Sequence, residues 1–473
     1  MMRSVMLAAG AALVVPYAAA AQDAPQPPAP LPPRIDDFPI KLLRSDEDYA
    51  RLGGQEDLRF PLSLKYVPLD RDAGVFASFG GEYRLKSDSY FLPDFGRRNA
   101  ADFTSIQQRF LLHADFHLGG DVRLFVQLGA GTESGRLPGP RVGDRGDPDL
   151  AQAFVDIGFG AQARRWRLRI GRQEVALGRY VAIRETTNFR RTFDGVRIDG
   201  AAAGFNVIGL AARVTRNKTA AFDDDGDPGD YIYLLQADHA LPLKGFRLGM
   251  TAYQRVNRRP TYSVGQGVER RRSLGVRVFG ARNGWDVDGQ VSYQFGHLTP
   301  AGQPNLAISA WGGALEGGYT LTTTWRPRLA FRVDIAGGDA DPNDARLNTF
   351  DLPYPNLSYL TDAALFAPRN VRDIQPFVTI SPTARFSLTA GAQFLWRTTT
   401  ADGVYSPVNI QILRPGGTAH YVATQPYARV TWHMNHFVDL QAAVVHAMPG
   451  EALEDSQARK ALDYVAASAS VRF

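Results

Sequence analysis

Between residues 169 and 197 the chain carries a dense set of groups that bind and balance carboxylates. Arg169, Arg172, Arg179, Arg184, Arg190, Arg191 and Arg197 are interleaved with Glu174, Glu185 and Asp194. A guanidinium grips a carboxylate through two parallel N–H···O bonds and keeps its charge in any environment. Such a set recognises anions reversibly. Arg84, Arg109, Arg328, Arg332, Arg397 and Arg429 extend the same chemistry along the chain. Only six lysines occur, against 47 arginines. A GC-rich genome produces that bias by itself, so the placement of the arginines says more than their number.

Other chemistries find little support. Cysteine is absent, which removes disulfides, thiolate metal sites and cysteine nucleophiles. The eight histidines show no HExxH or other paired metal spacing, and His433 and His436 merely flank a turn. Asp223, Asp225 and Asp227 offer oxygen ligands for calcium, but the run lacks the later glutamate of an EF-hand and also reads as a solvated turn. No GxSxG occurs, and no nucleophile, base and orienting carboxylate can be assembled. The sequence therefore implies no enzyme and no cofactor. A net charge of +5 comes without a basic helix or recognition module, which argues against nucleic acid.

The arginines must be positioned by strands. Trp166, Leu168 and Ile170 alternate with Arg165, Arg167 and Arg169, so one strand face is apolar and the other ionic. Strand one places Glu82, Arg84 and Lys86 opposite Phe79, Tyr83 and Leu85, and strand two places Gln107, Arg109, His113 and Asp115 opposite Ile106, Phe110 and Leu112. The segment 325–337 sets Arg326, Arg328, Arg332 and Asp334 against Trp325, Leu329, Phe331 and Val333. From Ala73 onward the pattern predicts eighteen strands with alternately long and tight connections, a transmembrane antiparallel β-barrel with short periplasmic turns and long extracellular loops. An arginine facing lipid near the midplane costs about 2–4 kcal/mol, so the ionic faces are expected to line a wet lumen. An even strand count puts both termini in the periplasm.

Outside the barrel, residues 1–21 read as a secretory signal peptide, with Arg3 before an apolar run and alanines before Gln22. Residues 22–72 read as a proline-rich linker and an N-terminal periplasmic segment, with a short helix near 45–52. Residues 73–473 are then the barrel. No apolar run is long enough for a transmembrane helix. The chain ends on an alternating strand closed by Phe473, which resembles the signal read by outer-membrane assembly machinery.

Two blocks in the arginine-rich region also resemble a family. Gly171-Arg-Gln-Glu174, followed by Arg184-Glu185, Asn188, Arg190-Arg191 and Phe193-Asp-Gly-Val-Arg197, is similar to the core signature of the bacterial alginate-export outer-membrane porins. The resemblance implies an outer-membrane channel for passive export of an anionic exopolysaccharide, alginate or a similar uronate polymer, through an arginine-lined pore. Its partners would be the polymer, outer-membrane lipid and periplasmic polysaccharide-secretion proteins. Family members plug the channel from below with a long periplasmic loop, whereas here the penultimate strands are joined only by about Met434-Asn435. Loops near 338–368 and 399–420 are the alternative plugs. The constriction is expected in 172–189 together with Arg190, Arg191, Asp194 and Arg197. Residue types alone leave a second reading open, a general or oligosaccharide-uptake porin whose lumen charges are internal ion pairs. A barrel enzyme is a third.

Overall fold

The computed structural model describes residues 38, 40–55, 58–97, 100–161 and 166–473. The expected signal peptide, the proline run and Arg165 lie outside the described residues. Eighteen long strands form the wall. They are β1 (Val75–Phe91), β2 (Phe103–Leu118), β3 (Val122–Ser134), β4 (Gly146–Phe159), β5 (Trp166–Glu174), β6 (Thr192–Ala202), β7 (Phe205–Arg216), β8 (Asp225–Ala240), β9 (Phe246–Asn257), β10 (Gly265–Arg282), β11 (Trp285–Pro300), β12 (Leu306–Thr320), β13 (Arg328–Ala336), β14 (Val371–Thr383), β15 (Phe386–Arg397), β16 (Tyr421–His433), β17 (Val438–Pro449) and β18 (Leu462–Arg472). Sequence neighbours pair antiparallel, and β18 returns to β1 from Glu82 opposite Arg472 to Phe91 opposite Asp463. Closure leaves no unpaired wall edge, the condition for a sheet to stand in hydrocarbon.

Each strand expected from the alternation is present. On β2, Phe110 and Leu112 are exposed on the outside, while Gln107, Arg109 and Asp115 are buried inside. At the end that carries the short turns, Trp285 of β11 packs on Tyr319 of β12 with ring centroids 4.8 Å apart, an aromatic pair suited to a membrane interface. One expected boundary is corrected: β13 begins at Arg328, because Trp325 and Arg326 occupy the preceding turn with φ of 65° and 44°. Arg326 therefore does not line the lumen.

The short turns and both ends of the wall lie on one side, and the long connections lie on the other. Two long connections, 175–191 and 337–370, turn back into the barrel and meet there. Ala182 donates to the Tyr354 carbonyl at 2.9 Å, and Tyr354 donates to the Tyr180 carbonyl at 3.0 Å. The described part of the chain before β1, from residue 38, is folded. It forms 3₁₀ turns at Arg44–Asp46 and Ala50–Leu52 and one helical turn at Leu62–Lys65, and it sits against the barrel mouth on the short-turn side.

Val291, outward-facing in mid-β11, is 56% exposed. Val291→Arg is expected to lower the stability of the bilayer-inserted barrel by about 2–4 kcal/mol, measured by denaturant titration in lipid vesicles. Val291→Leu should be neutral.

Candidate functional site

The β5–β6 hairpin carries both blocks of the sequence signature and brings them face to face. Gly171 lies opposite Gly195, Arg169 opposite Arg197, and Arg172 opposite Asp194. A side chain at Gly171 would collide with the Ala153 carbonyl, and one at Gly195 with that of Ala211, so the close approach of four neighbouring strands, β4 to β7, requires both glycines. On the inner face, Arg169 grips both oxygens of Asp156 at 2.7 and 2.8 Å and lies over the Phe154 ring. Arg197 pairs with Asp199 at 2.9 Å. Two like charges facing each other across the pair are thus each neutralised on the spot.

Arg172 and Asp194 require a correction. They share the strand face of Ile170 and Val196, both exposed outward, and not that of Arg169 and Arg197. They pair with each other at 2.7 Å, and Arg172 also donates to the carbonyls of Leu150 and Asp224. They tie the outer wall to the 217–224 connection and do not line the lumen.

A buried ionic network forms where 175–191 crosses the barrel, at the stretch expected to narrow it. Glu82 and Arg109, both buried, pair on the walls of β1 and β2. The loop inserts Glu185, which bonds Arg109, lies 3.6 Å from Arg84 and accepts from Arg190 at 2.6 Å. Arg190 further reaches Glu82 at 3.4 Å and Glu174 at 3.5 Å. Arg84 holds the backbone on either side of Thr186 through the carbonyls of Glu185 and Thr187 at 2.6 and 2.9 Å. Despite its burial, the arginines around Glu185, Arg109 foremost, hold its carboxyl well below the usual range, and Glu185 with Glu174 raises the Arg190 guanidinium. Removing one member of such a network leaves a buried charge unmatched, at about 3–5 kcal/mol.

Further along, the lumen departs from the expected wet tube. Val175, Leu177, Tyr180 and Val181 of the first inward loop pack with Phe350, Leu352, Tyr354 and Phe366 of the second, against Phe193, Ile232 and Leu395 of the wall. Both loops thus carry their own apolar residues into the lumen, the second of them covering the stretch near 338–368. Other expected lumen arginines are engaged there. Arg332 pairs with Asp334 and donates to the Tyr359 carbonyl at 2.6 and 2.8 Å. Arg429 grips Asp362 of the second loop at 2.8 and 2.6 Å. Arg328 binds Asp286 at 2.8 Å, Arg179 lies 3.6 Å from Asp288, and Arg397 donates to the Ala419 carbonyl at the far rim.

A cavity of about 520 Å³ opens on the long-loop side, lined by Arg184, Arg191, Arg216, Lys218, Arg255 and Arg369 against Asp227, Asp230 and Asp351. Most of these charges are matched: Arg255 with Asp230, Arg369 with Asp351, and Arg216 and Lys218 with Asp225. Among the described residues, Arg184 and Arg191 have no carboxylate within ion-pair distance. Arg191 donates only to the carbonyls of Ala182 and Pro355. Arg184 is held at a φ of 66°, in the left-handed region that costs an ordinary residue about 1 kcal/mol or more. Burial first, then repulsion from Arg184, pulls the Arg191 guanidinium down to about 9. The pair is short of negative charge. Sequence reasoning missed Tyr354, which fills the cavity floor between Arg191 and Arg255, because no strand periodicity marks an inward loop.

The calcium candidates separate. Asp225 pairs with Arg216, and Asp227 is taken by Arg259. Asp223 instead converges with Asp224 and Asp149, a group the spacing of Asp223, Asp225 and Asp227 did not anticipate.

A closed antiparallel barrel with an apolar exterior, a charged interior and loops folded into its lumen is a porin-type outer-membrane channel. Solved structures of this architecture include OccAB1 of Acinetobacter baumannii, with a TM-score of 0.57, 12% identity and 84% of this chain aligned to 96% of that one. A BenF-like porin from Pseudomonas fluorescens Pf-5 gives 0.56, 9%, 84% and 98%, and OccK5 (OpdH) of Pseudomonas aeruginosa gives 0.53, 11%, 84% and 98%. These likenesses show the fold. No curated protein sequence matches the chain. The alginate export family matches residues 75–467, and the chain belongs to that family; it is a bacterial outer-membrane channel.

Docking of the 175–191 loop should depend on pH through Glu185. A carboxyl depressed in the folded state stabilises above its ordinary value and loses that contribution as pH falls through the folded one. A spin label at Thr186→Cys is expected to be immobile at neutral pH, to stay so through the ordinary carboxylate range, and to become mobile only in more strongly acidic solution. Adding Glu185→Gln should leave it mobile throughout.

Proposed function

We propose that the protein is a passive conduit for an anionic polysaccharide, alginate or a similar uronate polymer. The observation that carries this reading is the cavity where Arg184 and Arg191, alone among its charged lining, lack a carboxylate. A uronate bears one carboxylate per sugar, which supplies the missing charge without disturbing the matched pairs around it. While the enclosed Arg84, Arg109, Arg169, Arg190, Arg197, Arg332 and Arg397 contribute positive potential, Arg328 and Arg429, the more exposed of the lumen arginines, then serve as exchange positions. Each already has an acceptor, so it releases a passing carboxylate as readily as it takes one, and passage needs weak repeated contacts. Directed movement would come from polymer synthesis at the inner membrane, with periplasmic secretion proteins delivering the chain. Residues 1–21 would be removed during export and 22–72 would remain on the periplasmic side.

The neutralised walls favour a second reading, a general or oligosaccharide-uptake porin. In that case ligand affinity would not depend on sugar charge. The two are separated by calorimetric titration of the detergent-solubilised protein with short uronate oligomers and with neutral glucans of equal length. The uronates are expected to bind and the glucans not. Arg184→Gln with Arg191→Gln should weaken uronate binding about tenfold to a hundredfold, equivalent to about 1.4–2.8 kcal/mol. Equal binding of both sugars, or no effect of the double substitution, would leave the general porin.

A further inference from the structure

We propose that the chain between residues 40 and 66 is a releasable stopper that closes the periplasmic mouth, doing there what the short connection between β16 and β17 cannot do. This concerns when the conduit opens rather than what it selects, and it stands independently of the uronate reading.

The segment is seated on the inner wall. Arg44, 2% exposed, donates to the Phe473 carbonyl at 2.7 Å and to that of Gly81 at 3.2 Å, bridging the seam where β18 meets β1. Lys65 donates to the Phe79 carbonyl at 2.9 Å. In the other direction, the wall reaches into the segment. Arg123 donates to the Ser45 carbonyl at 2.7 Å, the Arg169 guanidinium lies 3.5 Å from the Ser45 hydroxyl, and Arg190 of the ionic network donates to the Leu42 carbonyl at 3.2 Å. The segment thus occupies donors on three arginines that a polymer entering from this side would meet first.

Its attachment is built to come away whole. Its apolar cluster is formed among its own residues, Phe38, Tyr49, Leu52 and Leu62 with Leu58 and Tyr66, and meets the wall at its edge, where Tyr66 stacks on Phe76 of β1 with ring centroids 4.5 Å apart. Its main ion pair is internal, Arg44 with Glu47 at 2.8 Å, and Tyr49 donates to the same Glu47. The arginines that hold it keep their own carboxylates when it leaves: Asp115 for Arg123, Asp156 for Arg169 and Glu185 for Arg190. Apart from the bond of Arg44 to Phe473, the acceptors given up on release are neutral carbonyls and the Ser45 hydroxyl, which water can replace. Undocking strands no buried carboxylate on either side, which is what separates a movable part from a structural one. A short strand pairing, Val67–Asp70 on the start of β1, keeps the released segment tethered. Beside it a cavity of about 1020 Å³ already separates segment and wall.

The test is planar-bilayer recording of the full chain in potassium chloride without polymer, beside Arg44→Ala, Lys65→Ala and the double variant. Release is expected to raise the time-averaged conductance several-fold, most in the double variant. Because the chain has no cysteine, Ser45→Cys reports docking directly, with Asp72→Cys in the exposed turn as reference. In the otherwise unaltered protein a bulky thiol reagent should label position 45 at least tenfold more slowly than position 72, and the Arg44→Ala background should remove the difference. Equal labelling at both positions without Arg44→Ala would overturn the docked state. Protection of position 45 with conductance unchanged in every variant would overturn its role as a stopper. Neither readout involves a sugar, so failure here is distinguishable from failure of the uronate reading.

Discussion

Every strand of this wall has two faces and only one solvent that each can tolerate. An arginine at the midplane of the bilayer costs about 2–4 kcal/mol, and a run such as Trp166-Arg-Leu-Arg-Ile170 has no register in which both sets of side chains are satisfied except apolar outward and ionic inward. Closure of β18 on β1 follows, since an open edge would leave backbone donors and acceptors in hydrocarbon. So does the crowding of charge inside, which then has to be matched.

Matching is done mostly at short range by the wall itself. Arg169 finds Asp156 on the adjacent strand, Arg255 finds Asp230, and Arg277 finds Asp288. Where the wall does not suffice, inward loops supply the partner: Glu185 to Arg109 and Arg190, and Asp362 to Arg429. Pairing and occlusion are thereby the same device, because a loop that delivers a carboxylate to the centre of the lumen also obstructs it. Among the described residues, Arg184 and Arg191 at the outer opening, like Arg397 at the rim, have no carboxylate within ion-pair distance.

The wall was legible in the sequence because a period of two is unambiguous when one face is as apolar as Phe110 and Leu112 and the other as polar as Gln107 and Arg109. Charge misled where it runs against the period. Arg172 and Asp194 keep the parity of Ile170 and Val196 through an unbroken register and so lie on the outer face. At Trp325 and Arg326 a turn interrupts the alternation. The loops were not legible. Tyr180, Phe350 and Tyr354 pack as a soluble protein packs, against partners more than a hundred residues away, and no local pattern announces that. The docking of Arg44 and Lys65 rests on backbone carbonyls of the wall, which every sequence possesses.

The central claim is that this lumen, though paired almost throughout, retains an excess of positive potential for a polyanion. It is tested most directly by the reversal potential of open single channels across a potassium chloride gradient. An excess of arginine predicts a potential displaced toward that of chloride and diminished as ionic strength rises, since the field is screened over about 10 Å at 0.1 M salt. A potential at zero or displaced toward potassium would contradict it.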